Sequence, residues 1–214
     1  MNRINKMAMA AVLGAAAALA AMNPLPAPVV DAPRASGEQT ALLAGGCFWC
    51  TEAVFEHVAG VKKVISGYAG GSRETAHYEM VGSGRTGHAE SIQGTFDPAK
   101  ISYGTILKVF FGVAHDPTTL NRQGPDWGTQ YRSAIFYANE DQKRVAEAYI
   151  KQLDGAGVFK KPIVTQVAEL KAFYPAEDYH QDFVAHHPDH PYVVANSLPK
   201  LHKLEKTFPE LFRK

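Results

Sequence analysis

Both cysteines of this 214-residue chain fall in a single Cys-x-x-Cys, inside the stretch Gly45-Gly46-Cys47-Phe48-Trp49-Cys50-Thr51-Glu52. Ahead of it, Thr40-Ala41-Leu42-Leu43-Ala44 is a short apolar run suited to a buried strand; behind it, Val54, Phe55 and Val58 have helical spacing. Two glycines at the junction permit a tight turn between strand and helix. The chain must therefore deliver a strand, turn sharply and begin a helix at Cys47. Unpaired backbone N–H groups and the positive dipole end at that point favour a thiolate over a thiol, which suits a nucleophile. With Cys50 three residues on, both sulfurs share one helix face at roughly 5–6 Å between Cβ atoms, so a modest adjustment closes a disulfide. The same residues allow plainer arrangements. The pair could be half of a zinc site completed by histidines, Cys50 could be a small buried hydrophobe, and Phe48 and Trp49 could be core rather than walls of an apolar pocket.

The rest of the chain sets the context for that turn. Residues 1–22 carry Arg3 and Lys6, an Ala-rich apolar run and Ala18-Leu19-Ala20, the pattern of a secretory leader cleaved near Ala20. Residues 23–38 are Pro- and Ala-rich without apolar periodicity and read as a linker; residues 39–214 are then one domain with room for a core. With 22 Lys and Arg against 21 Asp and Glu, nothing points to nucleic acid or an anionic membrane as partner. The expected protein is exported, periplasmic or otherwise outside the cytoplasm, with no membrane attachment after the leader is lost. Outside the cytoplasm a Cys47–Cys50 disulfide can persist, but so short a loop adds little stability and looks redox-active.

Strands are expected over 61–68, 88–96, 133–138 and 163–170, and helices from Ser102 to about Ala114, from Asn139 (boxed with Gln142) to Gly155, from Pro175 to Ala185 and from a cap at Ser197. The Gly-rich segment 75–87, which carries His77, Tyr78 and Glu79, and the polar stretch 118–132 read as loops, and long loops in a compact domain are usually functional. Interleaved strands and helices, with some strands joined by loops alone, indicate an α+β fold with a mixed sheet packed against helices, a two-layer sandwich of ferredoxin-like type. On the strand at 88–96, Glu90 shares its face with Ile92 and Phe96, so a carboxyl points the same way as core residues.

Four motifs in order, Gly46-Cys47-Phe48-Trp49, Gly87-His88-Ala89-Glu90, Asp126-Trp127-Gly128-Thr129-Gln130-Tyr131 and Tyr174-Pro175-Ala176-Glu177-Asp178-Tyr179-His180-Gln181, resemble the A-type peptide methionine sulfoxide reductases. The resemblance covers about residues 40–183; the C-terminal tail matches poorly. It implies reduction of methionine S-sulfoxide, in proteins or free, by a monomer without metal or organic cofactor, because thiols supply the electrons. Cys47 would be the nucleophile and Glu90 the acid; Tyr78 and Tyr131 would hold the sulfoxide oxygen with Asp126 as a supporting polar residue, and Phe48 and Trp49 the ε-methyl group. Many members have Gly at the place of Cys50 and carry recycling cysteines near the C-terminus, whereas residues 51–214 here hold none. Either Cys50 resolves the Cys47 sulfenic acid, with a thioredoxin-like protein reducing the disulfide, or an outside thiol does so directly. The run His186-His187-Pro188-Asp189-His190 supports a rival reading, an exported zinc or copper protein using Cys47, Cys50 and His180.

Overall fold

The computed structural model describes residues 25–33 and 36–214; the expected leader and its cleavage site lie outside the described residues. Strand β1 (Gln39–Gly45) leads into helix α1 (Phe48–Glu56), followed by β2 (Val61–Ala69), a short α2 (Tyr78–Gly82), β3 (Ala89–Phe96) and α3 (Tyr103–Val109). A wider helical turn, Phe110–Ala114, extends α3 to the end expected from sequence. Next come a two-stranded hairpin, β4 (Arg122–Gln123) and β5 (Asp126–Trp127), then β6 (Ser133–Tyr137), α4 (Glu140–Gly155), β7 (Gln166–Glu169), β8 (Phe173–Pro175), α5 (Phe183–His186) and α6 (Leu198–Thr207). The main sheet has the order β7-β6-β1-β3-β2-β8. Only β6 and β7 run parallel, and α4 is the crossover that a parallel pair requires.

One face of the sheet carries the main core. Leu43, Val64, Ile92 and Ile135 pack there against Val54 and Phe55 of α1, Ile106 and Leu107 of α3, and Val145 and Tyr149 of α4. The other face holds smaller side chains, Ala44, Ala69, Ala89 and Ala134 with Leu42 and Phe136. The architecture is the mixed α+β sandwich expected from the sequence.

Register decides where chemistry can gather. Gly45 of β1 pairs with Ser133 of β6, Tyr68 of β2 pairs with Glu90 of β3, and Leu43 pairs with Ile92, which sets the end of β1 level with Glu90. One end of the sheet therefore brings together the strand-to-helix turn at Cys47, the Glu90 carboxyl and the loop before β6.

Several elements differ from the sequence reading, the stretch 118–132 among them, since it holds the hairpin of β4 and β5. Pro175 does not open a helix; it ends β8, opposite Gly67, on an edge strand where its missing N–H breaks no ladder. The Gly-rich segment 75–87 is not loop throughout, since Tyr78–Gly82 closes a helical turn. The described part of the linker forms no helix or strand, but it is tied to the body. The Tyr149 hydroxyl donates to the Pro26 carbonyl at 2.8 Å, and the Gly104 N–H donates to Asp31 Oδ1 at 2.8 Å.

Candidate active site

The turn between β1 and α1 has a backbone that only glycine tolerates well. Gly46 has φ +87°, and a Cβ there would lie 2.5 Å from the Gln123 side chain. Cys47 follows as the N-cap of α1, and Cys50 sits one turn inside it. The Phe48 N–H, a free donor of the first helical turn, donates to Glu90 Oε2 at 3.1 Å and so joins the turn to the neighbouring strand. Seven of the eight residues singled out from the sequence, Cys47, Phe48, Trp49, Tyr78, Glu90, Asp126 and Tyr131, line one cavity of about 170 Å3. Cys50 alone is missing from it.

Other residues hold these in place. Glu177 accepts from the Tyr78 N–H at 3.0 Å and from the Tyr68 hydroxyl at 2.8 Å, which fixes the start of α2. Arg132 donates to the carbonyls of Gly87 and His88 at 2.8 and 3.0 Å, tying the Tyr131 loop to the strand that carries Glu90. The Trp49 indole N–H donates to His180 Nδ1 at 3.1 Å, and its ring stacks on Phe183 with centroids 3.7 Å apart. An indole can only donate, so Nδ1 accepts and the His180 proton sits on Nε2. His186, His187 and His190 are exposed, and among the described residues no three His, Cys, Asp or Glu side chains are grouped so as to hold a metal ion. The geometry thus gives His180 an aromatic-positioning task in place of the metal-ligand role of the rival reading.

Tyr192 also lines the cavity, and its hydroxyl donates to Asp126 Oδ2 at 2.5 Å. Sequence reasoning missed it because it lies in a Pro- and His-rich run without periodicity. Glu177 was visible within a motif, but nothing in the sequence tied it to Tyr78. Ser197 was read as a helix cap. It does precede α6, but its side chain makes no capping bond there.

The electrostatics follow from burial. Glu90 is 3 % exposed, and loss of water pushes its carboxyl up to about 8 despite the opposing bond from Phe48. At neutral pH it therefore carries a proton. Burial, reinforced by neighbouring acids, likewise keeps Tyr78, Tyr131 and Tyr192 as phenols, so O–H donors ring the cavity. At Cys47 the sequence expectation is reversed. Burial raises its thiol, the neighbouring Cys50 and Glu90 add to the rise, and the helix end does not overcome them. Cys50 moves the other way, to about 6, chiefly because Cys47 donates to it. The two thiols thus shift in opposite directions.

A thiol, a protonated carboxyl and phenol donors around a space for a few atoms, with Phe48 and Trp49 as apolar walls, suit a small group that joins an acceptor oxygen to apolar carbon. Residues 39–211 match the family model described as "Peptide methionine sulfoxide reductase". The chain is 55% identical over 183 residues to peptide methionine sulfoxide reductase MsrA 2 of Mesorhizobium japonicum, a match covering 86% of this chain and 94% of that one. The chain belongs to the peptide methionine sulfoxide reductase family.

Solved members agree in fold. The reduced form of Mxr1 from Saccharomyces cerevisiae gives a TM-score of 0.63 at 32% identity, over 72% of this chain and 87% of that one. Methionine sulfoxide reductase A of Corynebacterium diphtheriae gives 0.61 at 33%, over 78% and 83%. The match to the family model runs to residue 211, so it takes in the tail whose motifs are weak. As a peptide methionine sulfoxide reductase, the enzyme performs thiol-dependent reduction of methionine sulfoxide to methionine.

Proposed function

We propose that the enzyme reduces the S-epimer of methionine sulfoxide, chiefly in oxidised exported proteins, with Cys47 as nucleophile, Glu90 as acid and Cys50 as resolving thiol. The observation that carries the reading is the shared cavity, which sets a buried protonated carboxyl beside the Cys47 thiol. Phe48 and Trp49 enclose the ε-methyl group, while Tyr78, Tyr131 and Glu90 donate to the sulfoxide oxygen. Cys47 sulfur bonds to the sulfoxide sulfur as its proton passes to Cys50 and the Glu90 proton goes to the sulfoxide oxygen; the hydroxyl then passes to Cys47 sulfur as that transient S–S bond breaks. Methionine leaves reduced by two electrons, and the oxygen remains on Cys47 as a sulfenic acid. Asp126 accepts from Tyr192, which holds both side chains at the cavity. No metal or organic cofactor enters these steps.

Cys50 then condenses with the sulfenic acid, and a thioredoxin-like dithiol reduces the Cys47–Cys50 disulfide. Turnover of each sulfoxide epimer with a thioredoxin-type donor tests the specificity: reduction of the S-epimer alone is expected, and equal use of both would contradict it. The leader pattern in residues 1–22 supports export to the periplasm. Mass spectrometry of the native protein should find a start near residue 21, and an intact Met1 in a cytoplasmic fraction would overturn that part.

A further inference from the structure

The steps above use Tyr192 but leave the rest of the C-terminal segment without a task. That segment builds a second cavity, of about 340 Å3. Cys47, Asp126 and Tyr192 line both cavities; Cys50 lines only the second, and Glu90, Tyr78 and Tyr131 only the first. The two cysteines thus share the second space, and only Cys47 also reaches the first.

Cys50 is not simply packed there. Ser197 Oγ lies 3.1 Å from Cys50 Sγ, and both residues are 1 % exposed. Ser197 closes the widened turn Val193–Ser197 and makes no capping bond to α6, so its hydroxyl is left for the sulfur. Lys200, three residues further on, lies on the same helical face and lines the same cavity. Among the described residues it makes no ion pair within 4.0 Å. Val193, with Leu198 and Leu201, packs with Ala53 of α1, and this apolar contact fixes the segment against the helix that carries Cys50.

We propose that Ser197 and Lys200 are positioning residues for the resolving step: the hydroxyl donates to Cys50 sulfur and the ammonium group favours its thiolate, so that Cys50 reacts with the Cys47 sulfenic acid. The inference rests on the reading of Cys50 as resolving thiol. In the step, Cys50 sulfur attacks Cys47 sulfur, the S–S bond forms and the S–O bond breaks. The departing hydroxide takes the proton released by Cys50 and leaves as water. Both sulfurs end at the disulfide level, and no further oxidant is needed.

The electrostatics agree. After the bond from Cys47, the influences that lower Cys50 against its burial are Lys200, Ser197 and Tyr192. The other titratable groups facing the cavity are Asp116, Asp126, Lys203 and His115; burial keeps His115 neutral, pushed down to about 3. Across the Cys47 wall stands Glu90.

The test separates the two half-reactions. In Ser197→Ala, one methionine per enzyme should still be released without reductant, but disulfide formation should slow roughly tenfold, the loss expected when a hydrogen bond to a charged sulfur is removed. The pH midpoint for alkylation of Cys50, read by peptide mapping, should rise by about one unit. Lys200→Gln should shift both quantities the same way, and Ser197→Thr, which keeps the hydroxyl, should restore both. A wild-type rate or an unchanged midpoint in Ser197→Ala and Lys200→Gln would overturn the proposal. If the wild-type enzyme itself forms no Cys47–Cys50 disulfide, the resolving role of Cys50 fails first, and the proposal with it.

Discussion

At the scale of the residue, the site depends on what burial does to acids. Glu90 lies on a central strand among apolar neighbours, and the one bond it accepts from Phe48 does not offset the lost water. A carboxyl of this kind donates a proton at neutral pH. The reductive half-reaction should therefore lose rate as pH rises through about 8, where Glu90 gives up its proton and the acid form disappears. Glu90→Gln keeps the shape but has no acidic proton, so single-turnover reduction should fall by about 100- to 10,000-fold and lose that alkaline limb. Rapid-quench rates from pH 6 to 9 check both; an unaltered rate in the variant would remove Glu90 from the role. The pairing of Cys47 with Glu90 was legible in the sequence through the motifs that carry them. The thiol state of Cys47 was not, because helix position can be read from spacing whereas burial depends on segments far along the chain.

At the scale of the element, local rules held where local forces dominate. Asn139 Oδ1 accepts from the Gln142 N–H at 3.0 Å, the cap read from sequence. The return bond of the box is displaced: Gln142 Oε1 takes the Ala138 N–H at 2.9 Å, and its amide donates to the Thr40 carbonyl at 2.7 Å, so the same side chain also ties α4 to β1. Pro175 opens no helix, and Ser197 stands at the start of α6 as expected but makes no capping bond, for a shared reason. Each has a residue type that commonly starts helices, and each is committed instead by a distant partner, Gly67 across the sheet or Cys50 on α1. The junction of β1 and α1 is the element on which placement of the nucleophile most depends. Gly46→Ala should cost about 1–3 kcal/mol from the positive φ alone. The clash with Gln123 adds to this and pushes Cys47 out of line with Glu90, so activity should fall more than stability does. Adding Gln123→Ala should relieve the clash but leave the backbone strain, restoring stability only in part. Chemical denaturation of the single and double variants measures this, and full recovery in the double variant would show that φ at this turn is unimportant.

At the scale of the whole molecule, the sheet gathers one row of residues at one end, and the C-terminal segment from α5 to α6 completes it. The first half of the chain supplies Cys47, Tyr78 and Glu90; β5 supplies Asp126 and the turn before β6 supplies Tyr131; the tail supplies Tyr192 and the surroundings of Cys50. Periodicity and motifs made the α+β class and the sheet strands readable. The long-range pairings that build the two cavities have no local signal, which is why the tail's part in the site was not legible from its own residues. The central claim is a division of labour between two thiols, of which only Cys47 reaches the cavity that holds Glu90, and one experiment addresses it most directly: a single turnover with methionine sulfoxide in the absence of reductant, followed by methionine quantitation and peptide mapping. The wild-type enzyme should release one methionine, lose both free thiols and yield a Cys47–Cys50 linkage. Cys50→Ser should release one methionine and leave a trappable sulfenic acid at Cys47, and Cys47→Ser should release none. Methionine from Cys47→Ser, or a Cys50 thiol still free after wild-type turnover, would contradict the account.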